Sequence, residues 1–179
     1  TLRYEEFNFD SKIIVTPKAK GFVVNVVLDK PVPKELEGRA GFNLEFIPTS
    51  YFESNYLVDG RAGTFPRYPA SNTEIRPLSE KIPQFAGHTT FDDRGRNEFI
   101  ATLPLESGKQ LILAPENPER RVKIESDLDV MLFDGRDLGQ NGWFIARSIF
   151  PANKTGKVLS WYVEPNAIPD WIREPVIGF

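Results

Sequence analysis

The apolar residues of this 179-residue chain recur with the period of strands, and fifteen prolines interrupt them. Proline lacks an N–H and its ring clashes with the preceding helical turn, so long helices have little room. Pro33 to Glu37 has space for a single helical turn. Elsewhere the pattern is that of a sheet. Phe42, Leu44 and Phe46 alternate with Asn43 and Glu45 between Gly41 and Ile47, which predicts one buried and one wet face. Ile13 to Val15 begins another strand, and Phe22 to Leu28 is apolar enough to be buried on both faces. Further strands are predicted at 98–103, 110–113, 121–125, 130–133, 143–150 and 158–163, most of them rich in Val, Ile and Phe. Turn pairs punctuate the runs at Glu37-Gly38, Ser107-Gly108, Asp134-Gly135, Asn141-Gly142 and Thr155-Gly156. The expectation is an all-β fold, an antiparallel jelly-roll-like sandwich, as one domain over residues 1–164. Residues 165–179, with Pro165, Pro169 and Pro175, read as an extended exit segment.

After the strand ending at Ile47 the pattern breaks. Roughly fifty residues up to Arg96 are irregular, aromatic and rich in arginine. Loops of that length inside a domain are usually functional or disordered. The aromatic content argues against disorder. A long structured loop insertion is therefore expected here, and function is sought in it first.

Composition excludes several classes. A net charge of -3 and a pI near 5.3 give no general attraction to nucleic acid or to anionic membrane. The arginines of the insertion are diluted by Glu53, Asp59, Glu74, Glu80, Asp92 and Asp93. The longest apolar runs are too short to insert into a bilayer. With no cysteine there is no disulfide, thiolate metal site or cysteine nucleophile. A chain beginning at Thr1 reads as a processed product or an excised piece. Asn153-Lys154-Thr155 fits the N-glycosylation triplet, which arises often by chance.

Each chemical motif competes with a structural reading. His88, the one histidine, could serve a hydroxyl nucleophile with Asp92 or Asp93 as orienter, but no G-x-S-x-G elbow is present. Asp92-Asp93, Glu45, Glu53 and Asp59 could supply a glycosidase pair. The flanking Arg94 and Arg96 make an ion-pair knot the simpler reading of Asp92-Asp93. No cofactor is expected. Calcium is the one ion left open, at Asp127 with Asp129 or Asp134 with Asp137, although EF-hand spacing is missing and Asp134-Gly135 reads as a turn. Gly60 to Gly63 lacks the G-K-[ST] of a phosphate loop. Sugar binding draws on Tyr51, Tyr56 and Tyr68 as stacking rings and on Arg61, Arg67 and Arg94 as hydrogen-bond donors. The structural reading is that these rings anchor the insertion to the sandwich. Trp143 and Trp161 fall in strand patterns and are expected in the core. Trp171 and Ile172, in the exit segment, are expected to contact a neighbouring module.

Four segments taken together carry a resemblance: GFNLEFIPTSYF, YLVDGRAGTFPRYP, KIPQFAGHTTFDDRGR and the run from LDVMLFDGRDLGQNGWF to WYVEPN. They resemble the N-terminal region of multimodular bacterial polysaccharide-degrading enzymes whose later part is similar to glycoside hydrolase family 9. In such proteins this region precedes an immunoglobulin-like module, and EPVIGF resembles the lead-in to it. The resemblance implies a secreted, periplasmic or cell-surface bacterial protein. It implies a non-catalytic accessory module whose partner is the downstream module of its own chain, with polysaccharide contact as a further possibility. The family's catalytic acid and aspartates lie downstream, so no catalytic residue carries over. A carbohydrate-binding module with its own affinity is the alternative, and it requires an exposed row of aromatics. An independent glycosidase or esterase is the third reading.

Overall fold

In the computed structural model, residues 1–77, 87–91, 94–138 and 142–167 are described. The strands are β1 (Leu2–Tyr4), β2 (Phe9–Lys18), β3 (Gly21–Leu28), β4 (Gly41–Phe46), β5 (Asn55–Val58) and β6 (Arg61–Thr64). They continue with β7 (Thr73–Pro77), β8 (Gly87–Phe91), β9 (Asn97–Thr102), β10 (Glu106–Leu113), β11 (Val122–Asp134), β12 (Phe144–Ile149) and β13 (Gly156–Pro165). Every strand pairing among the described residues is antiparallel. The fold is all-β, as expected.

β11 organises the two layers. Its first half, Val122 to Ser126, pairs with β13, and its last residues, Met131 to Asp134, pair with β12. β10 runs along the other side of both halves, with a register shift between Gly108 and Gln110. Such a bulge bends a strand and sharpens its twist. From this bend one layer continues as β13, β3, β2 and β1, and the other as β12 and β4. The layers meet face to face. Phe42 of β4 packs edge-on against Trp161 of β13 at 5.1 Å. The fully buried residues between them include Val26, Ile124, Leu132, Phe144 and Leu159. A second sheet, β7-β9-β8, stands apart from this path.

Several expectations need correction. The segments at 121–125 and 130–133 are one bent strand. Ser107-Gly108 makes no turn, because it lies inside β10 at the bulge. Phe22 to Leu28 is not buried on both faces: Val24, Val26 and Leu28 are buried while the residues between are half-buried. The fifty-residue insertion is not a loop, since it contains the β5–β6 hairpin and β7 and β8. Asp59 and Gly60, with φ of 47° and 79°, turn that hairpin. Asp-Gly between strand residues is a strong hairpin signal, so Val58-Asp59-Gly60-Arg61 was readable in advance.

Candidate functional site

The aromatic residues of the former insertion are the place to start. Tyr51 and Tyr56 are 8% and 7% exposed. Their rings pack against Phe65 at 5.6 and 5.1 Å, and Phe65 meets Phe144 at 4.5 Å. The Tyr51 hydroxyl donates to the Arg120 carbonyl at 3.1 Å. Burial raises the pKa of both phenols. A row of three stacking tyrosines is therefore corrected to one, because the rings of Tyr51 and Tyr56 pack into the core. Tyr68 remains, 76% exposed.

The arginines divide in the same way. Arg61 pairs with Glu106 at 3.1 Å and donates to the Ser107 carbonyl at 2.9 Å. Its contact holds the Glu106 carboxyl below the usual range. Arg67 pairs with Glu53 at 3.2 Å, both side chains largely exposed. Arg94 is exposed and has an interaction of its own. Asp92, Asp93, Trp171 and Ile172 lie outside the described residues. His88 stands in β8 opposite Ile100.

Arg136 is the residue that sequence reading missed. Its guanidinium lies 5.1 Å from the ring centres of both Phe52 and Phe144. Nη2 meets Asp134 Oδ2 at 2.7 Å, and Nε meets Oδ1 at 2.8 Å. The same guanidinium donates to the carbonyls of Pro66, Arg67 and Tyr68 at 2.7, 2.6 and 3.1 Å. The next residues are held by carboxylates. Ala70 N–H donates to Asp134 Oδ2, and Ser71 and Asn72 N–H donate to Asp137. Residues 66–72 are thus clamped along their backbone, and the clamp displays the Tyr68 ring. The signal in sequence was Phe133-Asp134-Gly135-Arg136-Asp137, an arginine between two acids.

At the calcium candidates Asp134 and Asp137 the carboxylate oxygens accept N–H groups, and the Arg136 guanidinium pairs with Asp134. Asp127 accepts the Ser160 N–H at 2.9 Å. No group of three or more potential metal ligands is found among the described residues. The other carboxylates of the region have structural partners too. Asp59 accepts the N–H groups of Lys109 and Gln110 at the bulge, and Glu116 accepts that of Asn55.

Trp143, expected in the core, is instead 36% exposed. It lines a hollow of about 490 Å³ together with Ile47, Glu45, Glu119, Pro165 and Asn166. Ile47 is 52% exposed there. Trp161, by contrast, is fully buried as expected. Comparison with family models, with curated proteins and with solved structures finds no match for this chain.

Proposed function

We propose that this chain is a non-catalytic accessory module of a secreted or surface bacterial polysaccharide-degrading enzyme, packing against and orienting the module that follows it. One observation carries the reading. The exposed Trp143 and Ile47 line a hollow whose wall includes Pro165 and Asn166, where β13 ends. Apolar side chains exposed beside an exit point suit contact with the next part of the same chain. The segment resemblance given above supports the same reading. No helix of the described residues is long and apolar enough to cross a membrane.

Calorimetry of the full-length protein tests this. The transition of this module is expected at higher temperature there than in the 179-residue piece. Trp143→Ala with Ile47→Ser should erase the difference while leaving the isolated piece nearly unchanged. Equal transition temperatures in both contexts would refute the positioning role.

A carbohydrate-binding module is the second reading, and the clamped, exposed Tyr68 favours it. A rigidly held aromatic ring is a stacking surface for the apolar face of a sugar. Affinity gels containing plant or microbial polysaccharides are expected to retard the chain, and Tyr68→Ala to abolish the retardation. Retardation unchanged in Tyr68→Ala would exclude this ring as the site. Of the carboxylates weighed for a glycosidase pair, Glu53 and Asp59 are engaged in structural contacts.

A further inference from the structure

The two layers of the sandwich are unequal. Among the described residues, β13, β3, β2 and β1 stand on one side of the bend and β12 and β4 on the other. The inner face of β1 and β2 therefore extends past the edge of β4. A cleft of about 490 Å³ lies in this overhang, a volume in the range of small-molecule sites. It shares no lining residue with the Trp143 hollow.

Most of the residues that line it are apolar, and polar atoms share the exposed surface with them. Phe9, Phe42 and Phe150 line it from within. Leu2, Tyr4 and Ile13 line it from the overhang and remain 49%, 47% and 36% exposed. The rim on the β4–β12 side is cationic. Arg147 stands opposite Asn43 in the register of β12 and β4, and both line the cleft beside Arg39.

Arg147 is an unusual rim residue. Among the described residues one of its five N–H donors is used, by Nη2 on the Arg39 carbonyl at 2.8 Å. Its Nε is buried without an acceptor. No carboxylate pairs with it among the described residues. Burial alone moves its pKa, downward. A half-buried guanidinium without a counter-ion is costly, and a carboxylate matches its forked donors better than any other small anion except phosphate.

We propose that this cleft binds a small amphiphilic monocarboxylate, its hydrocarbon or aryl body on Phe9, Ile13 and Phe42 and its carboxylate on Arg147. The apolar side chains of the cleft suit the body, and a guanidinium that pairs with no carboxylate among the described residues suits the charge. A phosphate or sulfate without an apolar body would leave the larger part of the cleft unfilled.

The test uses the whole 179-residue chain and octanoate, with octan-1-ol as the neutral isostere. Amide chemical shifts of Gly41, Asn43 and Phe150 are followed by NMR. Octanoate is expected to give saturable shifts there and to bind at least tenfold more tightly than octanol. Arg147→Gln should remove that preference while leaving octanol binding unchanged. A charge-assisted hydrogen bond contributes enough for a tenfold effect. Ala40→Leu, which narrows the cleft and keeps the charge, should weaken both ligands and stands in if Arg147→Gln does not fold. Equal affinity for octanoate and octanol, shifts away from the cleft, no saturation, or an unaltered preference in Arg147→Gln would each overturn the proposal. So would full octanoate binding by Ala40→Leu.

Discussion

The indole Nε1 of Trp161 donates a hydrogen bond to Ser148 Oγ at 3.1 Å across the interior of the sandwich. Both residues are fully buried, and the serine hydroxyl in turn donates to the Asp129 carbonyl at 2.8 Å. One hydroxyl thus satisfies a donor from β13 and an acceptor from the bend of β11, joining both layers to the strand they share. Ser148→Ala orphans both groups. The expected loss is about 1–3 kcal/mol, seen as a midpoint lower by about 2–4 °C per kcal/mol in thermal unfolding. A midpoint within a degree of the parent would show that the bridge contributes nothing.

Arg136 and Asp134 form a pair with side chains 14% and 1% exposed. Breaking a buried pair from one side leaves an uncompensated charge and costs about 3–5 kcal/mol. Arg136→Met keeps an apolar contact with Phe52 and Phe144 and isolates the effect of the donors. Urea unfolding should show the loss. Trypsin cleavage after Arg67 should accelerate as well, because three carbonyls of residues 66–68 lose their donor. Cleavage at the parent rate would mean that the clamp does not hold this segment.

Asp59 closes the β5–β6 hairpin at φ 47° and accepts the Lys109 and Gln110 N–H groups at 3.0 and 2.9 Å. Gly108 lies against it, where an added Cβ would fall 2.2 Å from Asp59 Oδ2 and 2.6 Å from Val58 Cγ1. Asp59→Asn keeps an acceptor and tolerates positive φ, so it is expected to cost well under half of what Asp59→Ala costs, itself about 1–2 kcal/mol. Gly108→Ala should cost about 1–3 kcal/mol by overpacking. Equal unfolding free energies for the two Asp59 variants would remove the bulge-capping role.

Tyr51 and Tyr56 have phenols whose pKa burial raises above the ordinary value of 10.0. Below that value both the folded and unfolded forms are neutral, and the phenols add no pH dependence. Above it the unfolded chain ionises first and binds fewer protons, so stability falls as pH rises past about 10 toward the folded values. Desolvation and Glu164 raise Tyr162 as well, so tyrosinate absorbance at 295 nm should show three of the five tyrosines ionising late, with loss of structure as Tyr51 and Tyr56 ionise. If all five ionised together at pH 10 with the fold intact, the buried placement of these rings would be wrong.

The strands outside the insertion were readable because their apolar period is strict. Phe42, Leu44 and Phe46 point to one side of β4 as their spacing requires, with Asn43 and Glu45 exposed. The short turn at 34–36 was readable from the proline that enters it. The insertion was misread for a specific reason. Its strands are four or five residues long, and β6 and β7 show no buried apolar face of their own. A strand so short carries too few side chains for a period to stand out. The Asp59-Gly60 turn was the available signal.

Local chemistry in the sequence determined that this chain builds antiparallel strands rather than helices, and roughly where the longer ones run, because side-chain period and proline act within a few residues. It did not determine which polar and aromatic groups meet. Tyr51 and Tyr68 are alike as residues, yet one closes the core and the other stands in water, because only the first lies beneath Phe46 and Phe65. Asp134 and Asp137 suggest a cation site until the folded chain sets the carbonyls and amides of residues 66–72 around them, 62 or more residues earlier in the sequence. The same holds for Arg147, whose guanidinium donates to the Arg39 carbonyl, 108 residues earlier in the sequence. Pairings over such separations depend on how the sheet bends at β11, and that bend is a property of the assembled ladder, not of any short stretch of residues.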